Sequence, residues 1–299
     1  MTIDYHKLKR WDFPAVEQTY TDKDTIFYSL SVGYCEDPVD HRELPFVYEK
    51  DLRATPTMAA VLAYPGLWIR NPETGIDWLN VVHGEQSIRF HRPLPSTGTV
   101  VGRMLIKSIT DKGAGRGALF LQERELFDKH SGELLATLEQ LNFCRGDGGY
   151  SDNGGTDGNQ LSDPSPFPLP PLPAREPERV HVISTSPRMA LFYRLCADRH
   201  PIHVDPIAAR AAGFSKPILH GLATYAIAGH ALLAAWCDYR PSRLKFLRAR
   251  FSAPLFPGET VRTEMWKTKD SVQFRCLAVE RDTIVINNGV AEIASGDSD

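Results

Sequence analysis

Residues 146–178 can form neither helix nor strand, and this divides the chain. GDGGYSDNGGTDG (146–158) holds six glycines, and PSPFPLPPLPAREP (164–177) holds seven of the 22 prolines. Glycine-rich sequence is flexible and proline-rich sequence is extended and stiff. The segment therefore reads as a linker between two units, residues 1–145 and 179–299. Each is about the size of one small domain.

The two units resemble each other. Phe90-His-Arg-Pro-Leu-Pro-Ser-Thr-Gly-Thr-Val in the first is answered by Phe251-Ser-Ala-Pro-Leu-Phe-Pro-Gly-Glu-Thr-Val in the second. Gly98 matches Gly258, and strand-like runs follow both, VVGRMLIKSI and VRTEMWKTK. Each unit also holds a His-Gly pair, His83-Gly84 and His220-Gly221. The shared order indicates a duplication.

Period supplies the elements. ALFLQERELFD (118–128), GELLATLEQLNFCR and VQFRCLAVERD (272–282) are rich in β-favouring residues and partly alternate, so they predict antiparallel strands. GLATYAIAGHALLAAW (221–236) is apolar on nearly every face, which predicts a helix buried all round. Its counterpart PTMAAVLAYPGLWI is shorter and cut by Pro65-Gly66. Each half is then an α+β unit, a sheet packed on a central segment.

Composition excludes several classes. A net charge of −3 calls for no nucleic acid and no polybasic membrane contact. The longest apolar stretch, near 222–236, is too short and too interrupted to span a membrane. The N-terminal MTIDYHKLKRWDF shows no secretory pattern, and the C-terminal GDSD carries no receptor-read address. Five scattered cysteines suit a reducing interior without a disulfide framework, so a cytoplasmic location is expected. Gly113-Ala-Gly115-Arg-Gly117-Ala118 fits a dinucleotide fingerprint only formally, because a strand and not a helix follows it.

The densest polar constellation is Tyr193-Arg-Leu-Cys-Ala-Asp198-Arg-His200-Pro-Ile-His203-Val-Asp205-Pro. Ser186-Pro187 is a helix start, and that helix should run through Leu195. Pro201 stops it, and Asp205-Pro206 opens a second short helix that Gly213 ends. Asp198 and His203 then flank a tight non-helical corner, where a carboxylate and an imidazole can converge on one water for general acid–base work. Taken singly, each could instead cap a turn or sit satisfied in the core. A metal site from Asp198, His200, His203 and Asp205 is a further reading, though the spacing matches no standard ligand pattern. Gly221, at the N-terminus of the buried helix, could offer its N–H to a developing oxyanion. Arg243, Lys245, Arg248 and Arg250 suggest a solvated face that a phosphate-bearing ligand could use.

Tyr193-x-Leu-x-Ala-Asp198-x-His-Pro-Ile-His203-x-Asp-Pro with Lys216-Pro-Ile-Leu-His220-Gly221 resembles the signature of the MaoC-like (R)-specific enoyl-CoA hydratases. Asp24-Thr-Ile-Phe-Tyr28, His83-Gly-Glu-Gln86, Asp111-Lys-Gly113 and Arg145-Gly-Asp-Gly-Gly-Tyr150 extend the resemblance to the double-hotdog enoyl-CoA hydratase 2 type. The resemblance implies two antiparallel sheets, each wrapped around a central helix. It implies reversible syn hydration of trans-2-enoyl-CoA to (R)-3-hydroxyacyl-CoA, with catalytic Asp198 and His203 and an oxyanion contact at Gly221, all in the second half. No metal or other cofactor is implied beyond the coenzyme A thioester substrate. The sequence departs from the family pattern at Ala197, where Gly is usual, and at His200, where Asn is usual. His200, His220, Met58, Leu62 and Arg250 are expected around the substrate, with Met58 and Leu62 in an acyl channel of a non-catalytic first half. An acyl-CoA thioesterase and a catalytically silent acyl-CoA-binding subunit are the competing functions, and a homodimer is left open.

Overall fold

The computed structural model describes residues 3–153, 161–196 and 198–295. The first half supplies strands β1 (Val16–Tyr20), β2 (Val81–Phe90), β3 (Gly98–Asp111), β4 (Ala118–Asp128) and β5 (Leu134–Cys144). The second supplies β6 (Arg179–Ser184), β7 (Leu244–Phe251), β8 (Thr260–Lys267), β9 (Val272–Ala278) and β10 (Thr283–Ile293). Among the described residues five helices join them: α1 (Tyr5–Lys9), α2 (Asp22–Ser31), α3 (Met189–Tyr193), α4 (Pro206–Ala211) and α5 (Gly221–Trp236).

The ten strands form one sheet in the order β1-β3-β4-β5-β2-β7-β10-β9-β8-β6. Matching β1–β5 to β6–β10 makes that order a palindrome, as a duplicated unit paired edge to edge requires. The double hotdog therefore stands, with its two expected sheets fused into one. The seam is antiparallel β2·β7, with Gln86 opposite Ala249 and Ile88 opposite Leu247. On its outer side Glu85 is buried and accepts from two arginines, Arg250 Nη2 at 2.8 Å and Arg248 Nη2 at 2.7 Å. These arginines were expected on a solvated face; Arg250 is exposed as expected, and both also clamp the seam.

Helix α5 has 16 residues, about 24 Å of axis. A run apolar on nearly every face permits burial of nearly its whole circumference, and residues 223–233 are all buried. Gly229 is where the first half crosses it. A Cβ there would lie 2.7 Å from Thr57 Cγ2.

The first half has no such helix. Its central segment is a five-residue 3-10 turn, Pro56–Ala60. A helix that stops early leaves carbonyls without partners. Arg124, buried on β4, donates to the carbonyls of Ala60 (2.7 Å), Ala59 (3.4 Å) and Leu62. Beneath this turn Gly102 is obligatory, since a Cβ would sit 2.3 Å from the Ala63 carbonyl oxygen.

Several local expectations change. The helix begun at Ser186-Pro187 is confined to α3, because Ser186 caps a preceding turn through Arg188 N. Strand β9 ends at Ala278 and a 3-10 turn takes 279–281. The His83-Gly84 pair lies in β2, where the register slips between His83 and Glu85. Within 146–178, Tyr150–Asn153 forms a 3-10 turn. Part of the segment is pinned to both halves: Asp163 accepts from Tyr5 Oη and Ile109 N, and Arg175 O accepts from Trp266 Nε1.

Candidate active site

The corner before α5 is built by three caps in series. Asp198 accepts from His200 N through Oδ1 at 2.9 Å. His200 Nδ1 accepts from Ile202 N at 3.3 Å and so starts the 3-10 turn Pro201–His203. Asp205 accepts from Ile207 N at 2.8 Å and starts α4. Pro201 and Pro206 occupy the first positions of these turns, where a missing N–H costs nothing. His203 thus ends a 3-10 turn rather than lying in a wholly non-helical corner. His200 and Asp205 are spent on caps, so the four-residue metal set does not converge.

Asp198 and His203 do converge. His203 Nε2 lies 3.8 Å from Asp198 Oδ2, with the carboxylate side chain 43% exposed and the imidazole 7%. His203 Nδ1 lies 2.9 Å from the Ile218 carbonyl oxygen. A carbonyl only accepts, so Nδ1 carries the proton and Nε2 presents a lone pair toward Asp198. Burial lowers the His203 pKa and favours that neutral form, with the Ile218 hydrogen bond and Asp198 opposing less strongly.

His220 stacks on His203, ring centroids 3.6 Å apart. Its Nε2 is 3.0 Å from the Asp198 carbonyl oxygen, which fixes the loop to the helix start. Burial, then the neighbouring His203, lowers its pKa. Its Nδ1 is buried without a partner. Asp198, His203 and His220 bring ligand-type atoms within 4.8 Å of one another.

Gly221 opens α5 and is exposed, so its N–H belongs to the first turn, which has no intrahelical acceptor. A Cβ on it would meet the Phe251 ring at 3.4 Å. The Phe251 ring in turn lies 4.8 Å from that of His83. Met58 and Leu62 are 3% and 1% exposed and pack into the main core. Arg250 is held by Glu85. Ala197, the first departure from the family pattern, lies outside the described residues.

Sequence reasoning missed Trp68 and an inward row of amides. Trp68 Nε1 donates to Gln122 Oε1 at 3.3 Å, Gln122 Nε2 to Gln140 Oε1 at 3.0 Å, and Gln140 Nε2 to Asn142 Oδ1 at 2.9 Å. It also missed a buried cluster further along α5, where His230 Nε2 meets Glu43 Oε1 at 2.7 Å and Tyr239 Oη donates to the same oxygen.

A duplicated hotdog with a carboxylate–imidazole pair at the start of its one long helix defines the MaoC-like class. Residues 169–289 match the MaoC like domain and residues 18–146 the MFE-2 hydratase 2 N-terminal domain. Enoyl-CoA hydratase 2, peroxisomal, of Arabidopsis thaliana is 35% identical over 94% of this chain and 91% of its own. The 3-hydroxyacyl-thioester dehydratase Y of Mycobacterium tuberculosis is 34% identical over 93% and 94%. The crystal structure of a MaoC-like dehydratase from Phytophthora capsici superimposes with a TM-score of 0.83 at 30% identity, covering 99% of this chain and all of that one. The chain belongs to the enoyl-CoA hydratase 2 family.

Proposed function

We propose that this protein hydrates trans-2-enoyl-CoA reversibly and with syn geometry to (R)-3-hydroxyacyl-CoA. The observation that carries the reading is the 3.8 Å gap between His203 Nε2 and Asp198 Oδ2, with Nδ1 committed elsewhere. The gap is too long for a hydrogen bond, and it suits one water about 2.8 Å from each atom.

His203 Nε2 takes a proton from that water as its oxygen bonds to C3 of the enoyl group. The C2–C3 electron pair moves toward C2 and the thioester oxygen. The Gly221 N–H, at the positive end of α5, meets the charge on that oxygen; one such donor is worth about 2.7–4 kcal/mol in related sites. The imidazolium returns the proton to C2. Both bonds form from the side of the same imidazole, which gives syn addition. Asp198 orients the water and stabilises the imidazolium. No metal or other cofactor enters this scheme, and His200 and His220 position the pair.

The acyl chain is assigned to the first half, where the short 3-10 turn leaves the inner sheet face uncovered by a helix. No helix is long and apolar enough to cross a membrane among the described residues. All five cysteines are free, which suits a reducing compartment, cytoplasmic or peroxisomal.

The test is loss of enoyl absorbance when the protein meets crotonyl-CoA, with coenzyme A thiol release followed in parallel. Absorbance loss without thiol release is the expected result. Thiol release would make it a thioesterase, and tight binding without turnover would make it a silent acyl-CoA subunit.

A further inference from the structure

We propose that the acyl group of the preferred substrate carries a neutral oxygen acceptor, received by Asn142 in the amide row of the first half. This rests on the hydratase reading.

Strand register builds the row. Gln122 on β4 stands opposite Gln140 on β5, and Gln140 opposite Gln86 on β2. One row further, Asn142 stands opposite His83, kept on the same face by the register slip at Gly84. In the second half the corresponding inner face is apolar: Val272, Phe274 and Cys276 on β9, with Ile286 and Ala291 on β10, all fully buried. The polar face is thus a property of one half and not of the fold.

The direction of every hydrogen bond in the row is set at one end. Indole nitrogen can only donate. Trp68 therefore turns the Gln122 oxygen toward itself, so the Gln122 amide nitrogen donates to Gln140, and that of Gln140 to Asn142. The chain ends on Asn142 Nδ2, which has no acceptor among the described residues. Gln122 and Asn142 are 4% exposed, while Gln140 and His83 are only half-buried, so solvent reaches the middle of the row.

The row begins two residues removed from the oxyanion contact. Asn142 pairs with His83, His83 touches Phe251, and Phe251 lies against Gly221. An acyl chain leaving the thioester toward the first half therefore passes over it. Against a plain alkyl chain the Asn142 donor would be desolvated and unpaired; against a hydroxyl or ketone it is satisfied. Arg124, in the neighbouring row, is spent on backbone carbonyls and leaves no free cation there for a carboxylate.

The experiment compares kcat/KM for trans-2-decenoyl-CoA with the same chain bearing a hydroxyl, a ketone or a terminal carboxylate. Crotonyl-CoA, too short to reach the row, reports on the hydratase reading alone. The hydroxyl or ketone substrate is expected to lead the plain one by roughly tenfold to hundredfold. Asn142→Val should bring that ratio to about one. Asn142→Asp keeps the side-chain volume, replaces donor by acceptor, and should also abolish the preference for the ketone, which cannot donate. A parent enzyme that favours the plain chain or the carboxylate, or an Asn142→Asp variant with the parental ratio, overturns the proposal. If crotonyl-CoA is not hydrated, the hydratase reading fails separately, and calorimetric binding of decanoyl-CoA against its oxygenated forms still decides the amide row.

Discussion

The two halves share a strand order and differ in what fills them. Under α5 the second half presents a closed apolar face, and its helix start, Gly221, lies beside the corner that carries Asp198 and His203. In the first half a five-residue turn replaces the 16-residue helix, and Gln86, Gln122, Gln140, Asn142 and Arg124 occupy the inner face. A duplicated fold needs only one rigid helix to position a reacting group. The other copy can shorten its own, provided that something satisfies the carbonyls left bare. Arg124 does this, and the inner face beside the turn carries amides rather than aliphatic side chains alone.

The largest test separates the halves. Residues 179–299 alone would present β7 as a bare edge, without the Gln86, Ile88 and Glu85 partners it has across the seam. An unpaired edge and uncovered apolar surface favour association. The fragment is expected to aggregate or dimerise in size-exclusion chromatography, with no monomer peak. A monomeric, fully active fragment would show that the first half is dispensable and would break the comparison.

The division of chemistry is tested next. Asp198→Asn and His203→Ala should each lower crotonyl-CoA turnover by roughly 10²–10⁴-fold, with unchanged circular dichroism. His83→Ala, in the His-Gly pair of the first half, should cost less than about tenfold, because that side chain touches only the Phe251 flank of the site. Comparable losses at His83 and His203 would mean that both halves contribute to the reaction.

The second half was the more legible of the two in the sequence. An apolar run such as 221–236 can only be a buried helix, and Pro201 and Pro206 fix turns wherever they stand, so the corner follows from local rules. The misread features depend on context beyond the local pattern. His83-Gly84 and His220-Gly221 are identical dipeptides, yet one sits at a register slip in a strand and the other opens a helix. Gln122, Gln140 and Asn142 alternate with apolar neighbours, as solvent-facing strand residues do; only the β4·β5 register shows that they face inward together. Arg250 looked free because its partner, Glu85, lies 165 residues away in sequence.

Arg124→Met probes the cost of the shortened helix at an intermediate scale. Methionine fills most of the same space but leaves the carbonyls of Ala59, Ala60 and Leu62 without their donor. A buried unsatisfied acceptor costs about 1–3 kcal/mol, and removal of a buried uncompensated charge offsets part of that total. The expected loss is about 2–3 kcal/mol in urea unfolding, read as a lower midpoint with an unchanged slope. No change would mean that the turn is held by packing alone. The matching change in the second half has no counterpart, since α5 satisfies its own carbonyls.

Per ring and per pH unit, the smallest expected effect concerns protons. Burial lowers the pKa of His83 to about 4 in the first half, and lowers those of His203 and His220 in the second. The folded protein therefore keeps these rings neutral where the unfolded chain, with histidine near pKa 6.5, takes up protons. Below that value the unfolded state binds more protons, so stability rises with pH and falls on acidification. The loss begins near pH 6.5 and continues until each folded ring also protonates, near pH 4 for His83. Each ring contributes up to about 1.4 kcal/mol per pH unit inside its window. Carboxylates with lowered pKa act in the same direction but at more acid values, so the interval from about pH 6.5 to pH 5 isolates the histidines. Urea midpoints should fall across that interval. His83→Gln should flatten the dependence by about one proton, while His181, His200, His203 and His220, all lowered by burial, keep the remainder. A slope that His83→Gln leaves untouched would place the whole acid sensitivity in the catalytic half, and would mean that the open face of the first half is wet enough to protonate His83 without unfolding.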